Sequence, residues 1–361
     1  MMGKRLFGLI TILLLLGLCL PVVSSAETTW REKIREKLKQ RIDKEQETTD
    51  SKSERAKFVF RGMDYHEMTY DNMQRSYGEY VPAENKEKEG KYPLVIVLHG
   101  GGGTGKYMAA LTGFNRLAEQ EKFIVVYPDG IERRWNDGRN FQEYKSQREN
   151  IDDVGFISAL IDQLATQYPV DLERVYVTGV SNGAMMTHRL AVDLSTRIAA
   201  AAMVDGNIPE NYFSKGIPSK PVPIIIMNGT KDQLMPWEGG EIGLEGKSKG
   251  RVVSTEQTVN FWLKHNKCEV SNQMIYKPDR DPNDGTTVRI HSYKNKDNEV
   301  MVVLYAIEGG GHTWPGASED IPQAPRGFPK TAIGLTCFDI NGTEEIYNFF
   351  KQHSRKREMT E

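Results

Sequence analysis

Apolar and polar positions divide the 361-residue chain into three unlike stretches. From Leu6 to Val23 the run is almost continuously apolar, with Lys4 and Arg5 before it and Ser24-Ser25-Ala26 after it. From Glu27 to Lys57 the chain turns charged, and Trp30, Ile34, Leu38 and Ile42 recur every four positions, the spacing of a narrow apolar stripe on a helix. Beyond residue 57, alternating segments at Phe58–Phe60, Tyr65–Tyr70 and Tyr77–Val81 predict an antiparallel strand entry, followed by a polar turn over Pro82–Lys91.

The rhythm then changes. Buried-type strands are predicted at Leu94–Leu98, Phe123–Tyr127, Arg174–Thr178, Pro223–Met227 and Val300–Ile307. Helical stretches separate them, at Met108–Gln120, Val154–Tyr168, Ala184–Leu194 and Thr255–His265, and a last helix is predicted over Thr343–His353. Apolar strands alternating with helices predict an α/β fold with a mostly parallel central sheet flanked by helices on both faces. No internal repeat and no second set of core elements is evident, so residues 58–361 read as a single catalytic domain.

The first stretch has the architecture of a secretory signal: a basic start, an apolar centre, and small residues at Ser24 and Ala26 that suit cleavage after Ala26. A retained anchor and a lipidated Cys19 are the alternatives, and Leu18 weakens the second because a small residue normally precedes that cysteine. A chain exported in this way is secreted or periplasmic, with no stable membrane span after cleavage. Residues 27–57 then read as a charged arm, helical or disordered. Two cysteines would remain, Cys268 and Cys337, and an oxidising compartment leaves both a disulfide and two free thiols open.

Charge excludes one class of partner. With 47 Lys and Arg against 49 Asp and Glu, a net charge of −2, the chain lacks the basic footprint that phosphate neutralisation requires, so no nucleic-acid partner is expected. Oligomeric state is not legible.

The strongest chemical signal is Gly179-Val180-Ser181-Asn182-Gly183, placed between a predicted strand and a predicted helix. This is a G-x-S-x-G nucleophile elbow in its expected setting, where a sharp turn presents the hydroxyl of Ser181 and the helix N-terminus offers amide groups to a developing oxyanion. A serine hydroxyl needs a base and an orienting carboxylate. In the chain order of α/β-hydrolases these follow the serine as acid, then histidine. Asp232, in Gly229-Thr230-Lys231-Asp232 after one strand, and His312, in Gly309-Gly310-Gly311-His312 after another, are the candidates. The turn and loop alternatives for both are ordinary structural roles.

His99-Gly100-Gly101-Gly102-Gly103 follows the strand Leu94–Leu98 and matches the loop that supplies oxyanion donors in esterases. The amides of Gly101, or alternatively Gly102, and of Asn182 are the expected pair. The same loop fits most of a phosphate-binding motif through Gly105-Lys106, but Tyr107 stands where a small hydroxyl should reach Mg²⁺. Scattered histidines and the absence of paired ligand motifs give no metal site, and hydrolysis without a cofactor is expected. Asp152 and Asp153 read as charge complements at a helix start rather than catalytic acids.

Taken together, Pro93–Gly101, Tyr127-Pro128-Asp129-Gly130, Trp135-Asn136-Asp137-Gly138-Arg139, Asp152–Phe156, the Ser181 elbow, Gly229–Asp232 and Gly311–Gly316 make the stretch from Tyr77 to Phe350 resemble a known family. It is that of the polyhydroxybutyrate depolymerase-like and feruloyl or acetylxylan esterases, α/β-hydrolases of the carbohydrate esterase type. The resemblance implies Ser181, His312 and Asp232 as the triad and places Trp135 near the acyl or sugar side of the cleft, with core packing as its alternative; Trp314 is a second substrate-binding candidate. It implies a serine esterase acting on small-molecule or oligosaccharide esters, feruloyl or acetyl groups on plant polysaccharide fragments foremost. Hydroxybutyrate oligomers are the alternative substrate. A non-catalytic binding protein on the same fold is the alternative of another class.

Overall fold

The computed structural model describes residues 63–83, 90–244, 248–318, 321, 323 and 330–355. All lie in the unit that begins at Phe58. The expected leader at 1–26, the arm at 27–57 and the strand at Phe58–Phe60 fall outside the described residues.

Among the described residues, ten strands share one sheet: β1 (Met63–Tyr70), β2 (Met73–Tyr80), β3 (Tyr92–Leu98), β4 (Ile124–Pro128), β5 (Val170–Val180), β6 (Ala200–Val204), β7 (Ile224–Gly229), β10 (Cys268–Tyr276), β11 (Thr287–Asn295) and β12 (Val300–Glu308). A two-stranded ribbon, β8 (Gly240–Glu241) and β9 (Arg251–Val252), stands apart. The order across the sheet is β1-β2-β4-β3-β5-β6-β7-β12-β11-β10. From β4 to β12 all neighbours are parallel, and antiparallel pairs extend both ends.

The apolar runs in the central strands have a simple cause, because both faces of the sheet are covered. On one face Val95, Val97, Val125 and Tyr127 pack with side chains of the helices α1 (Gly105–Thr112), α2 (Phe114–Glu121) and α6 (Gly342–Phe350). On the other, Leu94, Ile96, Leu98, Ile124 and Val126 meet α3 (Asp153–Gln167), α4 (Asn182–Asp193) and α5 (Thr255–His265). The helix α5 has the residues expected for it and opens with a capping box between Ser254 and Gln257.

Three sequence expectations need correction. The helix expected over Met108–Gln120 is two helices, because Gly113 takes a left-handed φ of 66° and its amide closes α1 on the carbonyl of Ala109. β6 was not expected, since Ala199–Ala202 carries no β-branched residue, and yet it is wholly buried between two parallel neighbours. β10 and β11 were also not expected, because their polar, partly exposed pattern lacks the apolar run of the inner strands. Both cysteines are free thiols. Cys337 belongs to the core of the first face and Cys268 packs against that of the second, so the sheet separates them.

Candidate active site

The turn after β5 is dictated by sterics. Ser181 sits at φ 57° and ψ −118° between the end of β5 and the start of α4, a strained conformation that the flanking contacts enforce. A Cβ on Gly179 would lie 2.7 Å from the backbone of Gly183, and one on Gly183 would lie 2.5 Å from the carbonyl oxygen of Leu98. Neither position admits a side chain. The amide of Ser181 donates to Val204 of β6, and its carbonyl accepts from Met185 within α4. No side chain caps the N-terminus of α4, which leaves its first amides facing the serine end.

The loops after β7 and β12 bring Asp232 and His312 together. His312 Nδ1 lies 2.6 Å from Asp232 Oδ2, and both side chains are buried. Asp232 Oδ1 accepts the amides of Leu234 and Met235 at 2.8 and 2.9 Å, which fixes the carboxylate. Burial alone would depress the imidazole pKa, but the charge of Asp232 and the hydrogen bond to it raise it to about 9. A proton on Nδ1 leaves Nε2 without a hydrogen bond among the described residues, and His312 and Ser181 wall the same cavity.

Sequence reasoning missed Asp205. It follows β6, is fully buried, and accepts a 3.3 Å bond from the amide of Gly229. Desolvation, then the charge of Asp232, pushes its pKa well above the usual carboxylate range. The signal was there, an Asp-Gly pair at the end of an apolar run, but the run was not taken for a strand. Asp205, Asp232 and His312 are the set of potential metal-ligand side chains among the described residues, with donor atoms within 4.8 Å of one another. The hydrogen bond already made between two of them accounts for the cluster.

His99 plays a structural part in the glycine loop. Its Nε2 accepts the amide of Gly130 at 3.0 Å, so the proton belongs on Nδ1, which donates to the carbonyl of Gly100 at 2.8 Å. Desolvation lowers its pKa to about 4 and keeps the ring neutral. Trp135 stacks near this ring and donates its indole N–H to the His99 carbonyl at 2.9 Å. Trp135 is fully buried, lies outside the walls of both hollows beside Ser181 and braces the loop. This burial matches the core-packing alternative for Trp135. Trp314 does reach the cavity, anchored by a 3.1 Å bond to Thr343.

Asn182 ties the elbow to the Trp135–Arg139 segment. Its side chain accepts the Trp135 amide at 2.9 Å and donates to Asp137 at 2.6 Å, and Asp137 also pairs with Arg139. Gly101 borders both hollows beside the serine. Asp152 accepts the amide of Gly155 at the start of α3, as its charge implied. Asp153 goes further and forms a buried pair with Arg75.

The larger hollow has a volume of about 320 Å³ and is walled by Tyr107, Leu111, Val180 and Trp314 together with the glycine loop. A smaller recess of about 50 Å³ opens from the same Ser181 and His312 toward Arg134, Arg139 and Tyr144. Ser181 thus stands where a mostly apolar chamber, with Arg133 and Gln323 also in its lining, meets a recess lined by Arg134, Arg139 and Lys249.

Residues 75–216 match the family described as Esterase PHB depolymerase. NocK of Nocardia uniformis subsp. tsuyamanensis, an esterase by name, is 30% identical over 263 residues, covering 71% of this chain and 73% of its own. A bifunctional acetylxylan esterase/xylanase of Neocallimastix patriciarum, XynS20E, is 32% identical over 146 residues, 40% of this chain and 20% of the relative. The crystal structure of a thermostable esterase shares the fold with a TM-score of 0.50 at 16% identity, covering 82% of this chain and 64% of the other. Among the described residues no helix is long and apolar enough to cross a membrane.

Proposed function

Because this chain belongs to the PHB depolymerase family of esterases, which are carboxylic ester hydrolases, we propose that it hydrolyses its substrates through a Ser181–His312–Asp232 triad. The observation that carries this reading is the 2.6 Å bond between Asp232 and His312, whose ring lines the same hollow as Ser181. Ser181 Oγ attacks the ester carbonyl while His312 Nε2 takes its proton. Asp232 holds Nδ1–H and stabilises the imidazolium. The amides of Gly101 and Asn182 receive the oxyanion, a contribution of about 3 to 4 kcal/mol for each donor. The imidazolium then protonates the leaving alcohol. Water, deprotonated by the same base, opens the acyl-enzyme and restores the serine.

The substrates are small or oligosaccharide esters. An apolar chamber of about 320 Å³ with Tyr107 and Trp314 in its wall suits an aromatic or short acyl group, which favours feruloyl or acetyl esters on polysaccharide fragments. Hydroxybutyrate oligomers are the second reading, favoured by the family match. The leader composition supports export, with residues 58–361 as the catalytic domain.

The deciding experiment is covalent labelling with a fluorophosphonate. Wild type is labelled and Ser181→Ala is not, while turnover of an activated acetate ester falls at least about a thousandfold without loss of fold. Equal labelling of the alanine variant would discard the assignment. Methyl ferulate, acetylated xylan and hydroxybutyrate oligomers then rank the acyl groups.

A further inference from the structure

We propose that the recess beside Ser181 binds a carboxylate on the substrate, held by the guanidinium of Arg134, so that the enzyme selects esters bearing a negative charge next to the scissile bond. This rests on the esterase reading above and names a substrate class for the same site. Arg134, Arg139 and Lys249 line the recess beside His312, and no acid is among the described residues that do. Arg139 is neutralised by Asp137, with which it forms a buried pair at 2.8 Å. Among the described residues Arg134 has no such counter-charge. It donates a 2.9 Å bond to the carbonyl of Arg133, and its guanidinium lies over Tyr144, 4.8 Å from the ring centre.

Those contacts hold the fork in place and leave most of its donors open. The guanidinium carbon lies 3.4 Å from where a Cβ on Gly101 would stand, so the charge sits against the glycine loop within reach of a group beside the reacting carbonyl. A planar fork held over an aromatic ring, half-buried and lacking an acid, is matched by a carboxylate through two parallel charge-assisted bonds. The apolar chamber takes the uncharged half of the ester. Two chemical sources present such a group: the free acid end of a hydroxyalkanoate oligomer, and a uronate on a polysaccharide fragment.

The test compares matched pairs. The first pair is the 3-hydroxybutyrate dimer and its methyl ester; the second is an acetylated xylo-oligosaccharide with and without a uronate branch. In the pair whose source is correct, wild type prefers the acid by at least about tenfold in kcat/KM at low salt, a preference that 0.5 M NaCl erodes. Arg134→Gln brings that ratio close to one through KM, and Arg134→Lys restores part of it. A ratio near one for both pairs in wild type overturns the inference. So does an equal loss on acid and neutral ester in Arg134→Gln, which would make Arg134 a support for the oxyanion loop instead. Calorimetric binding of the same ligands to Ser181→Ala separates this from failure of the esterase reading. Tighter binding of the acid, lost with Arg134→Gln, supports the recess even where no ester is turned over.

Discussion

A carboxyl oxygen of Asp205 lies within 4.8 Å of an imidazole nitrogen of His312, and Oδ2 of this acid is buried with no hydrogen-bond partner. An ionised carboxylate would be costly there, because Asp232 already supplies the negative charge that His312 needs. The protonated form resolves the conflict, in line with the upward shift that desolvation and Asp232 impose. Asparagine mimics a protonated acid and keeps an acceptor for the amide of Gly229. Asp205→Asn is therefore expected to fold and turn over like wild type, with the midpoint of its pH profile moved by less than about half a unit. Asp205→Ala strands that amide and is expected to lose about 1–3 kcal/mol by chemical denaturation. A large downward movement of the midpoint in Asp205→Asn would show that the group is ionised in the free enzyme.

The proton affinity of His312 sets the pH range of turnover. With its pKa carried to about 9, the base is protonated at neutral pH, and kcat/KM should rise with pH toward a plateau on the alkaline side of the ordinary imidazole value. The same shift is a stability term. A pKa raised by folding contributes stability that is fully present below the unfolded value of about 6.5 and is lost as pH climbs through about 9. The gap in unfolding free energy between wild type and His312→Gln should narrow between pH 6 and pH 9.5, by something on the order of 3 kcal/mol. A gap that is constant or widens over that range contradicts the ion pair.

Trp135 offers a test of bracing against contact. Its indole N–H serves the carbonyl of His99, one residue before the loop that carries Gly101. Trp135→Phe keeps most of the buried ring and removes the donor, leaving a buried carbonyl unpaired at a cost of about 1–3 kcal/mol in stability. Since the loop positions the expected oxyanion amides, the loss in activity should fall on kcat, with KM for a small ester nearly unchanged. A change confined to KM would place the indole against substrate after all.

The legibility of this site follows from where its constraints act. Gly179 and Gly183 stand two residues either side of Ser181, where a Cβ would meet the elbow's own backbone or that of Leu98 in the neighbouring β3, so the need for glycine is written beside the serine itself. Asp232 and His312 follow strands with strong apolar runs, which made their positions at the ends of β7 and β12 readable. Asp205 follows an alanine-rich strand whose burial is supplied by β5 and β7, so the Asp-Gly pair at its end is the one local trace of a cause that is tertiary. Trp135 was readable as an aromatic near the elbow, but its direction is set by hydrogen bonds to His99 and Asn182 far away in sequence. The break at Gly113 was written in the chain as a single glycine, which a periodic apolar pattern on both sides obscures.

The pair Arg75–Asp153 connects the edge hairpin to the active-site loops. Arg75 reaches from β2 to Asp153 Oδ1 at 2.7 Å with its guanidinium 3.8 Å over the ring of Phe156, and both charged groups are fully buried. Asp153 Oδ2 accepts the amide of Asn136 at 2.7 Å, next to Trp135 and Asp137. Arg75→Met leaves the carboxylate buried without its cation and should cost about 3–5 kcal/mol. Asp153→Leu removes both the charge and the acceptor for Asn136. The double variant carries no unpaired charge, so it should be more stable than the sum of the single losses by at least about 1 kcal/mol, leaving the unmet Asn136 amide as its remaining defect. That defect predicts a division between two readings: the double variant recovers stability in denaturant but not kcat, because the 135–139 segment has lost its anchor. Additive single losses would mean that the two side chains stabilise the fold independently, and full recovery of kcat would mean that the Asn136 bond does not position the site.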